Sequence, residues 1–111
     1  MHRYCLALDL KEDVELIKEY EAYHEKVWPA VIDSIKESGI EQMEIYRVAN
    51  RLFMIVEVND KFSFEQKEKT DLKNEKVKEW EELMWKYQQA IPGGKPGEKW
   101  RLMEKIFECY V

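Results

Sequence analysis

Residues 42–58 read Gln42-Met43-Glu44-Ile45-Tyr46-Arg47-Val48-Ala49-Asn50-Arg51-Leu52-Phe53-Met54-Ile55-Val56-Glu57-Val58. Two strand-forming runs, 42–48 and 51–58, are separated by two residues, Ala49-Asn50. That spacing, with an Asn in the connection, predicts a tight β-hairpin. Asn59-Asp60 ends the second run. Its centre, Leu52 to Val56, is apolar at five successive positions, so the strand presents apolar side chains on both faces. Such a strand needs cover on each side.

Upstream, residues 3–10 predict another strand, with Tyr4, Leu6, Leu8 and Leu10 on one face. Lys11-Glu12-Asp13 breaks it, and Asp13 suits a helix N-cap. A helix follows over 14–38, stopped by Gly39. Pro29 lies inside it and predicts a kink or a restart there. Downstream, a second helical region covers 63–90, interrupted near 70–74. Residues 91–97, Ile-Pro-Gly-Gly-Lys-Pro-Gly, form a loop, and 99–109 a last strand. The order is βαββαβ, which predicts an α+β, ferredoxin-like fold: a four-stranded antiparallel sheet with two helices on one face. The helices cover one side only. The simplest cover for the other is a second copy of the chain, giving a dimeric α/β barrel and a homodimer.

The chain has 111 residues, enough for a single domain spanning 1–111. Its net charge of −5 argues against a nucleic-acid backbone or an anionic membrane as partner. No apolar run approaches the roughly 20 residues of a membrane span. The start, Met1-His2-Arg3-Tyr4, lacks a signal-peptide core, so a cytoplasmic location is expected. Cys5 and Cys109 then read as two buried thiols, adjacent if the terminal strands pair. Neither His2 nor His24 has a second His or Cys at ligand spacing, so no metal site and no cofactor is expected. The charge run from Lys67 to Lys78 reads as a solvated face.

Chemistry concentrates on the first helix. Tyr20, His24 and Trp28 recur every four residues within a stripe of Leu16, Ile17, Tyr23, Val27, Val31, Ile32 and Ile35. Glu15, Lys18, Glu25, Lys26, Asp33 and Lys36 take the other side. Histidines on apolar faces serve most often as hydrogen-bonded core residues. The alternative is proton transfer, for which an imidazole is suited near neutral pH. On the second helix Val77, Trp80, Leu83, Met84, Tyr87 and Ile91 share a face, with Gln88 at its edge. Trp85 points elsewhere. Trp80, Met84 and Tyr87 suit ordinary core as well as a pocket wall, and Trp28-Pro29 reads as a structural kink.

The block Tyr20-x-x-x-His24-x-x-x-Trp28-Pro29, followed by Ser38-Gly39, Ile45-Tyr46, Leu52-Phe53, Val56-Glu57, Trp80 and Glu104-x-Ile106-Phe107, resembles the L-rhamnose mutarotase family over nearly the whole chain. The resemblance implies an isomerase that interconverts the α and β anomers of a 6-deoxy-hexose such as L-rhamnose or L-fucose. It also implies His24 as proton donor, Tyr20 as a sugar contact and Trp80 as a pocket wall. Two departures bear on the sugar: Met43 stands where the family's strand-two tyrosine is expected, and Trp80 is flanked by Glu79 and Glu81 rather than paired with a second tryptophan.

The chemistry is consistent with the residues. Opening a pyranose requires a proton to leave the anomeric hydroxyl and another to reach the ring oxygen, and a histidine serves either half. Asp9, Tyr20 and a water are open candidates for a complementary group. Two other readings stand beside this one: a cofactor-independent mono-oxygenase on the same dimeric barrel, by analogy of fold, and a non-catalytic small-molecule binding module.

Overall fold

The computed structural model describes residues 2–94 and 98–110. Strand β1 (His2–Leu10) leads to α1 (Val14–Tyr23) and α2 (Pro29–Glu37), then to the hairpin β2 (Ile40–Val48) and β3 (Arg51–Val58). Helices α3 (Phe64–Leu72) and α4 (Glu75–Trp85) follow, and then two short strands, β4 (Gln88–Gln89) and β5 (Arg101–Leu102). The sheet is antiparallel. β3 lies between β2 and β1, and both β4 and β5 pair with the far edge of β1. This is the ferredoxin-like α+β arrangement, with its fourth strand position divided between two fragments.

Side chains assign the local structure. Asp13 accepts from the amides of Glu15 and Leu16 (2.9 and 3.1 Å), capping α1 as its position suggests. The helix expected over 14–38 is two helices. Trp28, preceding proline, is extended (φ −56°, ψ 134°), a conformation that no α-helix accommodates, and Pro29 opens α2. The 63–90 region is likewise two helices. Asn74 restarts it by accepting from the Val77 amide at 3.2 Å, and the helix stops at Trp85 so that Gln88 joins the sheet. The strand expected over 99–109 is reduced to Arg101–Leu102. One further bond, from the Met103 amide to the Cys5 carbonyl (2.8 Å), continues it before the chain leaves the sheet. Of the loop at 91–97, residues 95–97 lie outside the described residues. Cys109 is exposed and Cys5 only half-buried, and both are free thiols, so the expectation of two buried cysteines does not hold.

Registers separate the two faces of the sheet. Tyr4, Leu6 and Leu8 of β1 oppose Val56, Met54 and Leu52 of β3 on the helix side. Leu52, with Leu10, joins Tyr20, Val31, Val77, Trp80, Met84 and Tyr87 in one core cluster, while Leu6 and Val56 join Ile40 and Val58 in a second, against which Tyr4, Met54 and Ile35 of α2 pack. On the opposite side Cys5 faces Ile55, Ala7 faces Phe53, and Tyr46 faces Phe53 from β2. Asn50 links the hairpin to the end of β1: its side-chain amide donates to the Leu10 carbonyl at 3.0 Å, and its own carbonyl accepts from the Leu10 amide at 2.6 Å.

Gly39 makes the turn from α2 to β2 at φ +102°, and its carbonyl accepts from the Asn59 amide at 2.9 Å. A Cβ there would stand 2.5 Å from Asn59 Oδ1, whereas one on Gly93 (φ +91°) would meet nothing within 4 Å. Gly39→Ala is therefore expected to lower the unfolding free energy by roughly 2–4 kcal/mol and Gly93→Ala by about 1 kcal/mol, the backbone strain alone. Urea denaturation of the two variants checks this; equal losses would mean that the approach of Asn59 carries no weight.

Candidate active site

Between the helices and the sheet lies a cavity of about 570 Å³, within the roughly 300–1,000 Å³ common for small-molecule sites. Met43, Ile45 and Met54 form its floor, Val31 and Ile35 of α2 one wall, and Trp80 and Met84 of α4 another. Tyr20 and His24 enter from the end of α1, and Gln88 and Trp100 close it from the C-terminal segments. All three residues singled out for the site, Tyr20, His24 and Trp80, line this one cavity. The rings of Tyr20 and His24 stack at 4.4 Å, and Trp80 meets His24 edge-on at 5.6 Å. Trp28 packs edge-on against Trp80 at 5.2 Å without joining the lining.

His24 is not in mid-helix, as the apolar stripe suggests, but is the C-cap of α1 (φ −81°, ψ −6°). Its backbone amide turns back to the Glu21 carbonyl at 3.0 Å, so the Tyr20 carbonyl is left for another donor. The His24 ring takes that place, with Nδ1 2.8 Å from the Tyr20 oxygen. A carbonyl only accepts, so the proton is on Nδ1, and the neutral ring keeps its basic lone pair on Nε2. The backbone of the helix end thus selects the tautomer. His2, the other histidine, is also in an ordered strand, but it is exposed on β1, 3.9 Å from Asp60, and takes no part in the cavity.

Tyr20 is 3% exposed, and its hydroxyl accepts from Gln88 Nε2 at 3.2 Å. Burial pushes its pKa up to about 12; the bond from Gln88 opposes the shift and the nearby Glu81 carboxylate adds to it. At neutral pH the phenol is protonated and serves as a hydrogen-bond donor, not as a base.

Of the other groups named from the sequence, Met43 does line the cavity, so the departure from the family pattern falls on a wall of the site. Asp9 does not. It lies on the opposite face of the sheet, clamped by Arg51 Nε and Nη2 at 2.8 and 3.1 Å. Trp85 is outside the lining, with the Lys99 ammonium 5.9 Å above its ring. Lys99 also bridges to Glu81 at 3.2 Å.

Sequence reasoning missed Gln88, Trp100, Glu81 and a polar trio at the α2–α3 end of the cavity. In that trio Ser34 Oγ donates to Asp71 at 2.9 Å, and Lys67 reaches Asp71 at 2.8 Å. Lys67 and Asp71 are legible as a helical i,i+4 pair, but nothing local announces Ser34 as the third member. Among the described residues no group of three or more His, Cys, Asp or Glu side chains gathers for a metal, and no helix is long and apolar enough to cross a membrane.

Comparison with known proteins places this geometry. The L-rhamnose mutarotase family model matches residues 3–109. An L-fucose mutarotase of Xanthomonas campestris pv. campestris is 41% identical over 109 residues, covering 96% of this chain and 87% of that protein. A UPF0734 protein of Dictyostelium discoideum is 37% identical, covering 95% of this chain and 87% of that protein. Among solved structures, an L-rhamnose mutarotase of Formosa agariphila superimposes with a TM-score of 0.71 at 22% identity, covering 99% of this chain and 100% of that one. Tetracenomycin F2 cyclase of Streptomyces glaucescens, a type II polyketide cyclase, superimposes at 0.61 with 13% identity, covering 100% of this chain and 98% of that one, a likeness of fold alone. The sequence match extends through the segments that build the cavity, and on it the chain belongs to the L-rhamnose mutarotase family of sugar isomerases.

Proposed function

We propose that this single-domain chain interconverts the α and β anomers of a 6-deoxy-hexose in the cavity beside His24, with L-fucose as the first candidate and L-rhamnose as the second. The observation that carries the reading is the bond from His24 Nδ1 to the Tyr20 carbonyl (2.8 Å), which leaves Nε2 as the basic nitrogen of a ring lining the cavity. The 41% identity to an L-fucose mutarotase orders the two sugars.

In the proposed step Nε2 takes the proton of the anomeric hydroxyl as the C1–O5 bond breaks, its electron pair remaining on O5. The imidazolium then delivers that proton to O5, giving the open-chain aldehyde and restoring the neutral ring. Both oxygens are bonded to C1 in the closed sugar, so one nitrogen can serve each in turn. Rotation about C1–C2 and the reverse sequence close the ring on the other face. No net redox change occurs. Tyr20, held protonated by burial, donates a hydrogen bond to the sugar, and Trp80 and Met43 offer surfaces to its C–H faces and 6-methyl group.

His24→Ala is expected to remain folded and lose roughly 10²–10⁴-fold in anomer exchange, and His24→Gln to lose a similar amount, since an amide shuttles no proton. Saturation-transfer NMR between the α and β anomeric protons of L-fucose and L-rhamnose measures it. Exchange by His24→Ala at the parent rate would return His24 to a packing role. Binding without exchange by the parent would make the chain a binding module.

Trp80 is 5% exposed on the cavity, and Trp85 stands outside it. Trp80→Leu is expected to weaken sugar binding by roughly five- to thirtyfold, the 1–2 kcal/mol of a lost aromatic face, and Trp85→Leu to leave it near the parent value. Titration followed by ligand-observed NMR distinguishes them, with circular dichroism as the fold check; equal effects would assign the wall wrongly.

The proposal includes a homodimer. Phe53 and Ile55 face away from the helices beside Tyr46 and Val48, which are 51% and 73% exposed. Past β5, Ile106, Phe107 and Tyr110 are 94%, 79% and 88% exposed. A second copy buries this face, with residues 103–110 as the arm that clasps it. Light scattering is expected to give twice the 13.5 kDa chain mass for the parent, and a monomer for a variant carrying Ile106→Asp and Phe107→Asp. A monomeric parent at micromolar concentration would remove the dimer, and a dimeric variant would remove the role of the arm.

A further inference from the structure

We infer that Gln88 reads one hydroxyl of the sugar, acting as a specificity residue at the polar end of the cavity. The inference rests on the proposal that the cavity binds a 6-deoxy-hexose. Gln88 lies in β4, pairs through its backbone with Leu10, and is 5% exposed. Its side chain lines the cavity. One end of the amide is committed, since Nε2 donates to Tyr20 Oη at 3.2 Å. The other end, Oε1, is a buried side-chain polar atom without a hydrogen-bond partner among the described residues.

Leaving an amide oxygen buried and unpaired is unfavourable, and folded chains tolerate few such atoms without a reason. Apolar residues would fill this position without that penalty. Gln88 lines a cavity floored by Met43, Ile45 and Met54, and although Oε1 itself is wholly buried, a small turn of the amide on ligand entry would bring this unpaired acceptor to a hydroxyl of the ligand. The arrangement also polarises Tyr20. Because its oxygen already accepts from Gln88, the phenolic proton is free to donate. Acceptor and donor then stand side by side, a pairing suited to adjacent hydroxyls of a sugar, each of which both gives and takes a hydrogen bond. Turned about its last bond, the amide would take the phenol's proton and present its NH₂ instead. In either orientation one end belongs to Tyr20 and the other to the cavity.

L-Fucose and L-rhamnose share the 6-methyl group and differ in the configurations at C2 and C4. An apolar wall senses such an inversion weakly. A buried amide whose partner is removed senses it strongly, because its own group is then left unpaired. The reading of hydroxyl configuration that a strand-two tyrosine would share is thus assigned here to Gln88, in a cavity that Met43 also lines.

The test is Gln88→Met, close in volume and without the amide, titrated alongside the parent with the sugar that the parent exchanges and with its 2-, 3- and 4-deoxy analogues. Circular dichroism and anomer exchange are recorded on the same samples. For the full sugar, Gln88→Met is expected to bind about ten- to a hundredfold more weakly. For one deoxy analogue, the one lacking the hydroxyl that Gln88 reads, parent and variant are expected to bind alike. A loss of equal size for every analogue, or no loss at all, would overturn the inference and leave Gln88 as a support for Tyr20. Gln88→Met in a Tyr20→Phe background provides a second measure: a further loss there supports direct reading, and no further loss refutes it. A parent that exchanged no 6-deoxy-hexose would remove the proposed function and this inference with it. A parent that exchanges, beside an unchanged Gln88→Met, removes the inference alone.

Discussion

Proline at position 29 has no amide proton to return to the preceding turn, and its ring forces Trp28 into an extended conformation. That constraint opens α2 at Pro29, while the arrangement of the site is set by the earlier end of α1 at Tyr23. A continuous helix would carry each amide to the carbonyl four residues back, and the Tyr20 carbonyl would be taken by the backbone of His24. With the helix ended at Tyr23, the His24 amide drops back to Glu21, and the freed Tyr20 carbonyl receives the imidazole Nδ1–H. A backbone break thereby becomes a chemical assignment: one ring nitrogen is fixed as donor and the other is left basic. The same ring stacks on Tyr20, so its orientation is held on a face as well as at an edge.

Tyr20 ties this corner to the rest of the molecule. Its ring is part of the main core cluster, and its hydroxyl meets a glutamine from the far end of the chain. Burial keeps that hydroxyl protonated, in keeping with a donor beside the histidine proposed to carry the proton. The apolar residues of the helix-facing sheet surface separate this polar end from the Ser34–Lys67–Asp71 group, which joins α2 to α3. The cavity is thus polar at two ends and apolar between them, a shape suited to a small sugar with one methyl corner.

Much of the fold was legible because its signals are local. The hairpin at Ala49-Asn50, the cap at Asp13 and the turn at Gly39 depend on backbone geometry within a few residues, and each lies where the sequence places it. The helix boundaries were less legible. The break at Pro29 and the interruption near 70–74 lie where the sequence places them, but apolar periodicity gave no sign that α1 already ends at Tyr23 or α4 at Trp85. The last strand failed differently. Gln88–Gln89 takes the edge of β1 at Asp9–Leu10, where the start of the expected strand would pair, and past Met103 the chain leaves that edge, a departure that no local pattern marks.

The sequence by itself determined the alternation that sets two faces to the sheet, the interruption before Pro29, and the spacing that carries Tyr20, His24 and Trp80 to one side of the helical layer. These are consequences of chain sterics and of side-chain period, which act over a few residues. Only the tertiary structure decided that Asp9 belongs to Arg51 on the other face, and that Gln88 stands against Tyr20 from 68 positions away. Those outcomes rest on which polar groups burial brings together and which partners remain for them once the backbone is satisfied, and no short-range pattern encodes that.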